Sequence, residues 1–275
     1  MVVLPYVSIP DLHIGPVPIH PFGVLVATGV LIGWWLAVRR AERYGVPKNE
    51  MESFISWGLA FGFVLSHLID EVLYRPHDII EHPIQLLKVW SGISSFGGFI
   101  GGTVGAFVWK LRHKRPILPL LEHVLTIFPI GWIFGRAGCS VAHDHIGRAS
   151  TSFFAVNFPG GPRFDLGLLE MLLTIPIAIA TMWFARKPRP PGAIIGFVSV
   201  IYAPIRFPLD ALRATDIINA DARYLGFTPG QWLSIALFIL GVTLLVRARK
   251  LPPTMPVPLP PKTDGAPQSG APSIS

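Results

Sequence analysis

Seven stretches of this 275-residue chain are long and apolar enough to cross a bilayer, and nothing else in the sequence constrains its fold as much. A hydrocarbon core takes about 20 mostly apolar residues per helix, and within it each segment must satisfy its own backbone polar groups. The windows cover 21–38, 54–69, 92–109, 116–134, 166–184, 192–209 and 231–246. Their titratable groups are few: His67 in the second, Glu122 and His123 in the fourth, Glu170 in the fifth and Arg206 in the sixth. Charged residues make up 14% of the chain, against about 25% in a soluble domain, which argues against an ordinary soluble enzyme. The same apolarity excludes disorder for most of the chain. The single cysteine, Cys139, excludes an internal disulfide, a thiolate zinc cluster and a CxxC redox pair.

The net charge of +7 becomes informative once it is mapped onto these spans. Alternate connecting segments hold 15 of the 23 Lys and Arg residues, in 39–50, 110–115, 186–189 and from Arg247 onward. By the positive-inside rule those segments are cytoplasmic, so the N-terminus lies outside and the C-terminus inside. Eleven of the 16 acidic residues fall on the opposite side. The basic excess thus reflects topology, and nucleic acid is not an expected partner. No Lys or Arg precedes residue 39; a cleaved signal peptide needs a basic leader, so the first span reads as a retained helix. The sequence predicts an all-α polytopic membrane domain over 1–250 and a Pro-rich, disordered cytoplasmic tail over 251–275.

Polar residues gather at the outer ends of the predicted spans, where charge is costly and commonly functional. Gly135-Arg136-Ala137-Gly138-Cys139 closes the fourth span. Arginine's planar fork suits a phosphate, although an arginine snorkelling to the headgroups would also fit. Cys139 reads as a packing residue rather than a nucleophile. Tyr202, Arg206 and Asp210 repeat at i, i+4, i+8 on one face of the sixth span, so Asp210 can hold Arg206, while Pro204 and Pro208 interrupt the helix. His67, Asp70 and Glu71 share a face of the second span, and His143-Asp144-His145 follows the fourth. These two groups fit exposed headgroup-level residues, a general base or, as a weaker alternative, a zinc-like site using His67, Asp70, Glu71, His143 and His145. His20 opens the first span as a cap or interfacial residue, and Gly97-Gly98 near the start of the third permits either close ligand approach or ordinary helix packing.

These residues, in this order, resemble the prolipoprotein diacylglyceryl transferases from about His20 to Val246. The family's His-x-Tyr-Gly is matched by His20-Pro21-Phe22-Gly23, and its Ser-Phe-His-Gly-Gly by Ser95-Phe96-Gly97-Gly98, which lacks the histidine. Its Gly-Arg-x-Gly-Asn signature appears as Gly135 to Cys139, with cysteine in place of asparagine, and a later Gly-Arg pair recurs as Gly147-Arg148. Asp144 stands for a family glutamate. His-Pro-Ser-Gln-Leu-Tyr-Glu survives in Leu168 and Glu170, and Tyr-x-x-x-Arg-x-x-x-Glu in Tyr202, Arg206 and Asp210. Gly-Gln-x-Leu-Ser is Gly230 to Ser234.

The resemblance implies a seven-helix fold in a bacterial inner (plasma) membrane with its N-terminus outside, and no cofactor. It implies transfer of a diacylglyceryl group from phosphatidylglycerol to the lipobox cysteine thiol of a lipoprotein precursor, with glycerol phosphate leaving. Arg136 and Arg206 would then clamp the lipid phosphate, with Tyr202, His20, Gly97 and Gly98 lining the lipid and Asp210 and Glu170 in support. The missing third-helix histidine leaves His143 or His145, with Asp144, to accept the thiol proton. The same residues also fit a relative with another acceptor, a metal-dependent lipid reaction at the His/Asp cluster, or a lipid-binding protein without catalysis.

Overall fold

Apolar windows of this length fold as long helices because a helix closes its own hydrogen bonds without help from neighbours. The computed structural model of the chain describes residues 3–15, 17–74, 83–87, 95–217 and 223–253. A short hairpin of β1 (Leu12–Ile14) and β2 (Val17–Ile19) precedes α1 (Pro21–Arg43) and α2 (Lys48–Tyr74). After a 3₁₀ turn at Pro83–Leu87 come α3 (Ser95–His113) and α4 (Leu118–Ala142). Strands β3 (Ile146–Ala149), β4 (Ala155–Phe158) and β5 (Gly161–Asp165) form an antiparallel sheet in the order β3-β5-β4. The chain continues through α5 (Leu166–Phe184), α6 (Ala193–Ala211) and α7 (Pro229–Ala248).

Each of the seven windows falls on one of these helices. Among the described residues, six helices are long and apolar enough to span a membrane. The exception is α3, whose five glycines and terminal Lys110 and Arg112 dilute its apolarity. The protein is therefore mostly helical and fits a polytopic membrane fold. Two small sheets correct the all-α expectation. The β4–β5 turn falls on Pro159-Gly160-Gly161; Gly160 and Gly161 take φ of +100° and +122°, which glycine adopts without strain. Pro204 and Pro208 were expected to interrupt the sixth span, yet α6 runs through both. Neighbouring helices in a bundle tolerate such prolines by satisfying the freed carbonyls. Most of the 251–275 tail lies outside the described residues.

The helices pack chiefly as α2 on α3, α1 on α4, α4 on α5 and α6 on α7. Glycine makes the closest of these contacts possible. A Cβ on Gly101 of α3 would meet the Phe61 carbonyl oxygen of α2 at 2.3 Å and Gly62 Cα at 2.7 Å. Rigid backbone on both sides leaves no room to yield. Gly101→Ala is expected to cost about 1–3 kcal/mol, read as a lower thermal midpoint of the detergent-solubilised protein; an unchanged midpoint would contradict this packing.

The β3-β5-β4 sheet joins the ends of three helices. β3 follows α4 directly and β5 leads into α5, while Arg148 N–H donates to Leu212 O just after α6 at 2.8 Å. The start of α7 joins them through Thr228, whose hydroxyl donates to Asp210 of α6. Thr228 also caps α7 in a capping box with Gln231, and a Cβ on the neighbouring Gly230 would meet the Asp210 carboxylate at 2.7 Å, so the Gly-Gln pair of the sequence serves this junction. The start of α1 completes this end, with Phe22 packed on Gly138 of α4. At the opposite end, Glu122 of α4 accepts from the N–H groups of Ile194 and Ile195 at 3.2 and 3.3 Å. It thereby caps α6, whose own cap position is Gly192.

Candidate active site

The sheet end of the bundle brings together charges that lie far apart in the chain. Its centre is Glu170, in the second turn of α5 and 2% exposed. Arg136 Nε of α4 lies 3.2 Å from its Oε2, and Arg206 Nη1 of α6 lies 3.3 Å from the same oxygen. The Nε hydrogen of Arg136 does not point at that oxygen, so this contact is ionic rather than a hydrogen bond. Glu170 Oε1 accepts from Tyr202 Oη at 2.5 Å and from Trp132 Nε1 at 3.1 Å. The Trp132 ring also carries the Arg136 guanidinium, 4.4 Å from its centroid. Three hydrogen-bond donors and the Arg136 ion pair thus converge on one carboxylate.

A second carboxylate extends the network. Asp210 Oδ1 binds Arg206 Nη2 at 2.7 Å and Arg213 Nε at 2.8 Å, and its other oxygen accepts from Thr228. The i, i+4 hold of Asp210 on Arg206 is as the sequence suggested. Arg136, Arg206 and Arg213 face Glu170 and Asp210, three guanidiniums against two carboxylates.

The histidines sit beside this network in two different settings. His143 ends α4 in the left-handed conformation, φ +52°, which turns the chain back over the last helical turn. Its Nδ1 lies 2.7 Å from Asp165 Oδ2, its Nε2 3.1 Å from Val7 O, and Tyr6 stacks on its ring at 4.2 Å. Asp165 also caps α5 by accepting from Leu168 N–H at 3.0 Å. Burial pushes the Asp165 carboxyl above the usual carboxylate range, opposed by the Leu168 N–H and by His143. Asp165→Ala should cost about 0.5–2 kcal/mol through the lost cap. Asp165→Ser should restore the cap without restoring a charged partner for His143. Thermal unfolding of both variants separates the two roles.

His145 lies against Arg136. Its Nδ1 lies 2.5 Å from Asp144 Oδ1, and its Nε2 lies 3.4 Å from Arg136 Nη1. The same Nη1 is 3.7 Å from Cys139 Sγ. Cys139, Asp144 and His145 are the one group among the described residues whose ligand atoms lie close enough to share a metal ion, all within 4.8 Å.

Other sequence expectations are redrawn. The metal alternative through His67, Asp70, Glu71, His143 and His145 does not assemble among the described residues. His67 and Glu71 are 0% and 2% exposed within α2, so they are not headgroup-level groups in solvent. His20 pairs with Asp11 at 2.8 Å rather than with either arginine. A Cβ on Gly97 would strike Leu65 O at 2.7 Å and Ser66 Cα at 2.8 Å, so Gly97 serves helix packing. Space is open at the Gly98 Cβ position. The next residue, Phe99, packs against Trp132 with ring centroids 5.4 Å apart.

Sequence reasoning missed Trp132 and Asp165 as organisers of the site. The Asp165 signal was present as an Asp placed directly before an apolar helix; an indole inside an apolar run carries no such mark. One concavity of about 580 Å³ lies away from these residues, against the second half of α5 with Arg186 as the one charged residue lining it. A smaller one of about 210 Å³ borders His143, Ser140 and Leu168.

Comparison with known proteins gives the same family as the motifs. The prolipoprotein diacylglyceryl transferase family model matches residues 11–247. The phosphatidylglycerol–prolipoprotein diacylglyceryl transferase of Nitratidesulfovibrio vulgaris is 30% identical over 262 residues, covering 90% of this chain and 97% of its own. The similarly named protein of Idiomarina loihiensis is 31% identical over 247 residues, covering 87% and 92%. That of Chromohalobacter salexigens is 29% identical over 258 residues, covering 92% and 96%.

Proposed function

The chain belongs to the prolipoprotein diacylglyceryl transferase family, and on that premise we propose that it moves the diacylglyceryl group of phosphatidylglycerol to the lipobox cysteine thiol of a lipoprotein precursor. The observation that carries this reading is the meeting of Arg136 and Arg206 on a single oxygen of Glu170. A phosphodiester anion approaching that pair meets preformed donors held by a buried framework, and these need no reorganisation as charge grows on the leaving group.

In the reaction, the substrate sulfur forms a bond to the terminal glyceryl carbon. The bond from that carbon to the phosphate oxygen breaks, and its electron pair leaves with glycerol phosphate. The thiol proton must go to a base, because the thiolate is the nucleophile. His145, oriented by Asp144, stands beside Arg136 and is the nearest candidate; His143 with Asp165 is the second. Tyr202, Trp132 and Glu170 position the arginines, Asp210 holds Arg206, and Gly98 leaves room where the lipid would enter.

The distribution of basic residues supports seven spans, an outer N-terminus and an inner C-terminus, with the sheet end facing out of a bacterial inner membrane. The substrate cysteine and the lipid headgroup would then meet at the outer leaflet. The test is direct: purified full-length protein in phosphatidylglycerol vesicles, offered a lipobox peptide, should add one diacylglyceryl mass to the peptide. Phosphatidylethanolamine vesicles should serve poorly. A peptide that stays unmodified with well-folded protein overturns the reading.

A further inference from the structure

The second half of α5 carries a groove that the transfer site does not use. It is a concavity of about 580 Å³, bounded on its far side by Ile130 of α4. The small Ala178 and Ala180 give it depth, while Ile179 and Trp183, each 66% exposed, stand up beside them. From Pro176 to its end at Phe184, α5 rises about 12 Å, and Arg186 follows directly at the mouth of the groove. One leaflet contributes about 15 Å of hydrocarbon. The groove therefore runs through one leaflet and ends in charge at headgroup depth. An exposed tryptophan just inside that charge suits the same interface.

This end of the bundle is basic. Arg40 Nη2 of α1 donates to Ala185 O at 3.1 Å, and Arg115 Nε lies 4.0 Å from Glu50. The basic segments 39–50, 110–115 and 186–189 thus meet here. Arg189 is held by the end of α5, its Nε donating to Phe184 O at 2.9 Å. Arg186 is exposed, and among the described residues no carboxylate pairs with it.

We propose that the groove seats an acyl chain of an anionic phospholipid whose phosphate rests on Arg186. A partner helix packed here would have to bring a carboxylate to the same depth, whereas a phospholipid carries chain and anion in one molecule. An acyl chain gains little by leaving other chains for an apolar wall, so the headgroup charge decides which lipid stays. By the positive-inside rule this is the cytoplasmic leaflet, whose anionic lipids attract basic segments. The lipid is separate from the one that reacts at the sheet end. Arg186 stands about 24 Å from Glu170 along the direction of α5, too far for one headgroup to meet both. The site needs only that α5 cross the bilayer, and it stands whether or not the chain transfers lipid.

The experiment places the full-length protein in phosphatidylethanolamine vesicles with no acceptor peptide. Phosphatidylglycerol or phosphatidylethanolamine carrying a diazirine in mid-chain is added at equal mole fraction, and labelled residues are mapped by mass spectrometry after illumination. The phosphatidylglycerol probe should label the stretch from Ile179 to Trp183 about fivefold more than the phosphatidylethanolamine probe. Ile239 of α7, 60% exposed, should be labelled equally by both. Arg186→Ala, a change at an exposed side chain, should bring the ratio in the groove down to that at Ile239. Arg136→Ala should leave the groove's ratio unchanged. Equal labelling by both probes in the wild-type protein, or a preference that survives Arg186→Ala, overturns the site and leaves ordinary bilayer lipid there. A preference lost in Arg136→Ala would assign the groove to the chains of the reacting lipid and overturn the separate site. Labelling needs no turnover, so failure of the transferase reading would leave these results as they stand.

Discussion

Arg136→Ala is expected to lower diacylglyceryl transfer by about 10²-fold or more, as removal of a preorganised charge-stabilising donor does. The side chain does three things at once. It faces Glu170 at 3.2 Å, lies over the Trp132 ring and turns Nη1 toward Cys139 and His145. Alanine removes the donor that would meet the departing phosphate. Arg136→Lys should recover little, because an ammonium cannot reproduce the planar fork or lie flat on an indole. The loss should fall on kcat and kcat/KM together if the contact strengthens as the phosphate leaves. A loss confined to KM would instead make Arg136 a ground-state lipid anchor.

Glu170→Ala should have the largest effect on stability. Two guanidiniums, a phenol and an indole converge on this carboxylate at 2% exposure. Removing one partner of a buried ion pair typically costs about 3–5 kcal/mol, because the charge left behind stays buried without compensation. Here two charges lose their partner, although Asp210 still holds Arg206 at 2.7 Å. The thermal midpoint should drop well below that of Arg136→Ala, and transfer should be lost as well. A double-mutant cycle with Arg136→Ala should show strong coupling, within about 0.5–3 kcal/mol for residues in one network. Additive effects would mean that the pair does not act as a unit.

The helices were legible because their signal is long and redundant: some 20 apolar residues survive a few mistaken boundaries. The same rule assigned seven windows to seven helices, and it weakened only at α3, where glycine dilutes apolarity while improving packing. The β3-β5-β4 sheet was not foreseen. Its strands span four or five residues each, too short for a periodic pattern, and only the Pro-Gly-Gly turn marked it. Arg136, Arg206, Glu170 and Asp210 stood out because charge within an apolar run is costly. What the sequence lacked was pairing. It offered Arg206 to Asp210 along one helix but could not show Arg136 and Arg206 meeting on Glu170 across three helices.

Family membership is shown by the match over residues 11–247, whereas activity in this chain rests on the arginine pair at the sheet end. Complementation tests that claim most directly. A bacterium depleted of its own transferase should regain growth and lipid-modified lipoproteins when it expresses this chain, and should not when it expresses Arg136→Ala at the same level in the membrane. Failure of the inserted wild-type chain to restore modification, or full restoration by the Arg136→Ala form, would contradict the account.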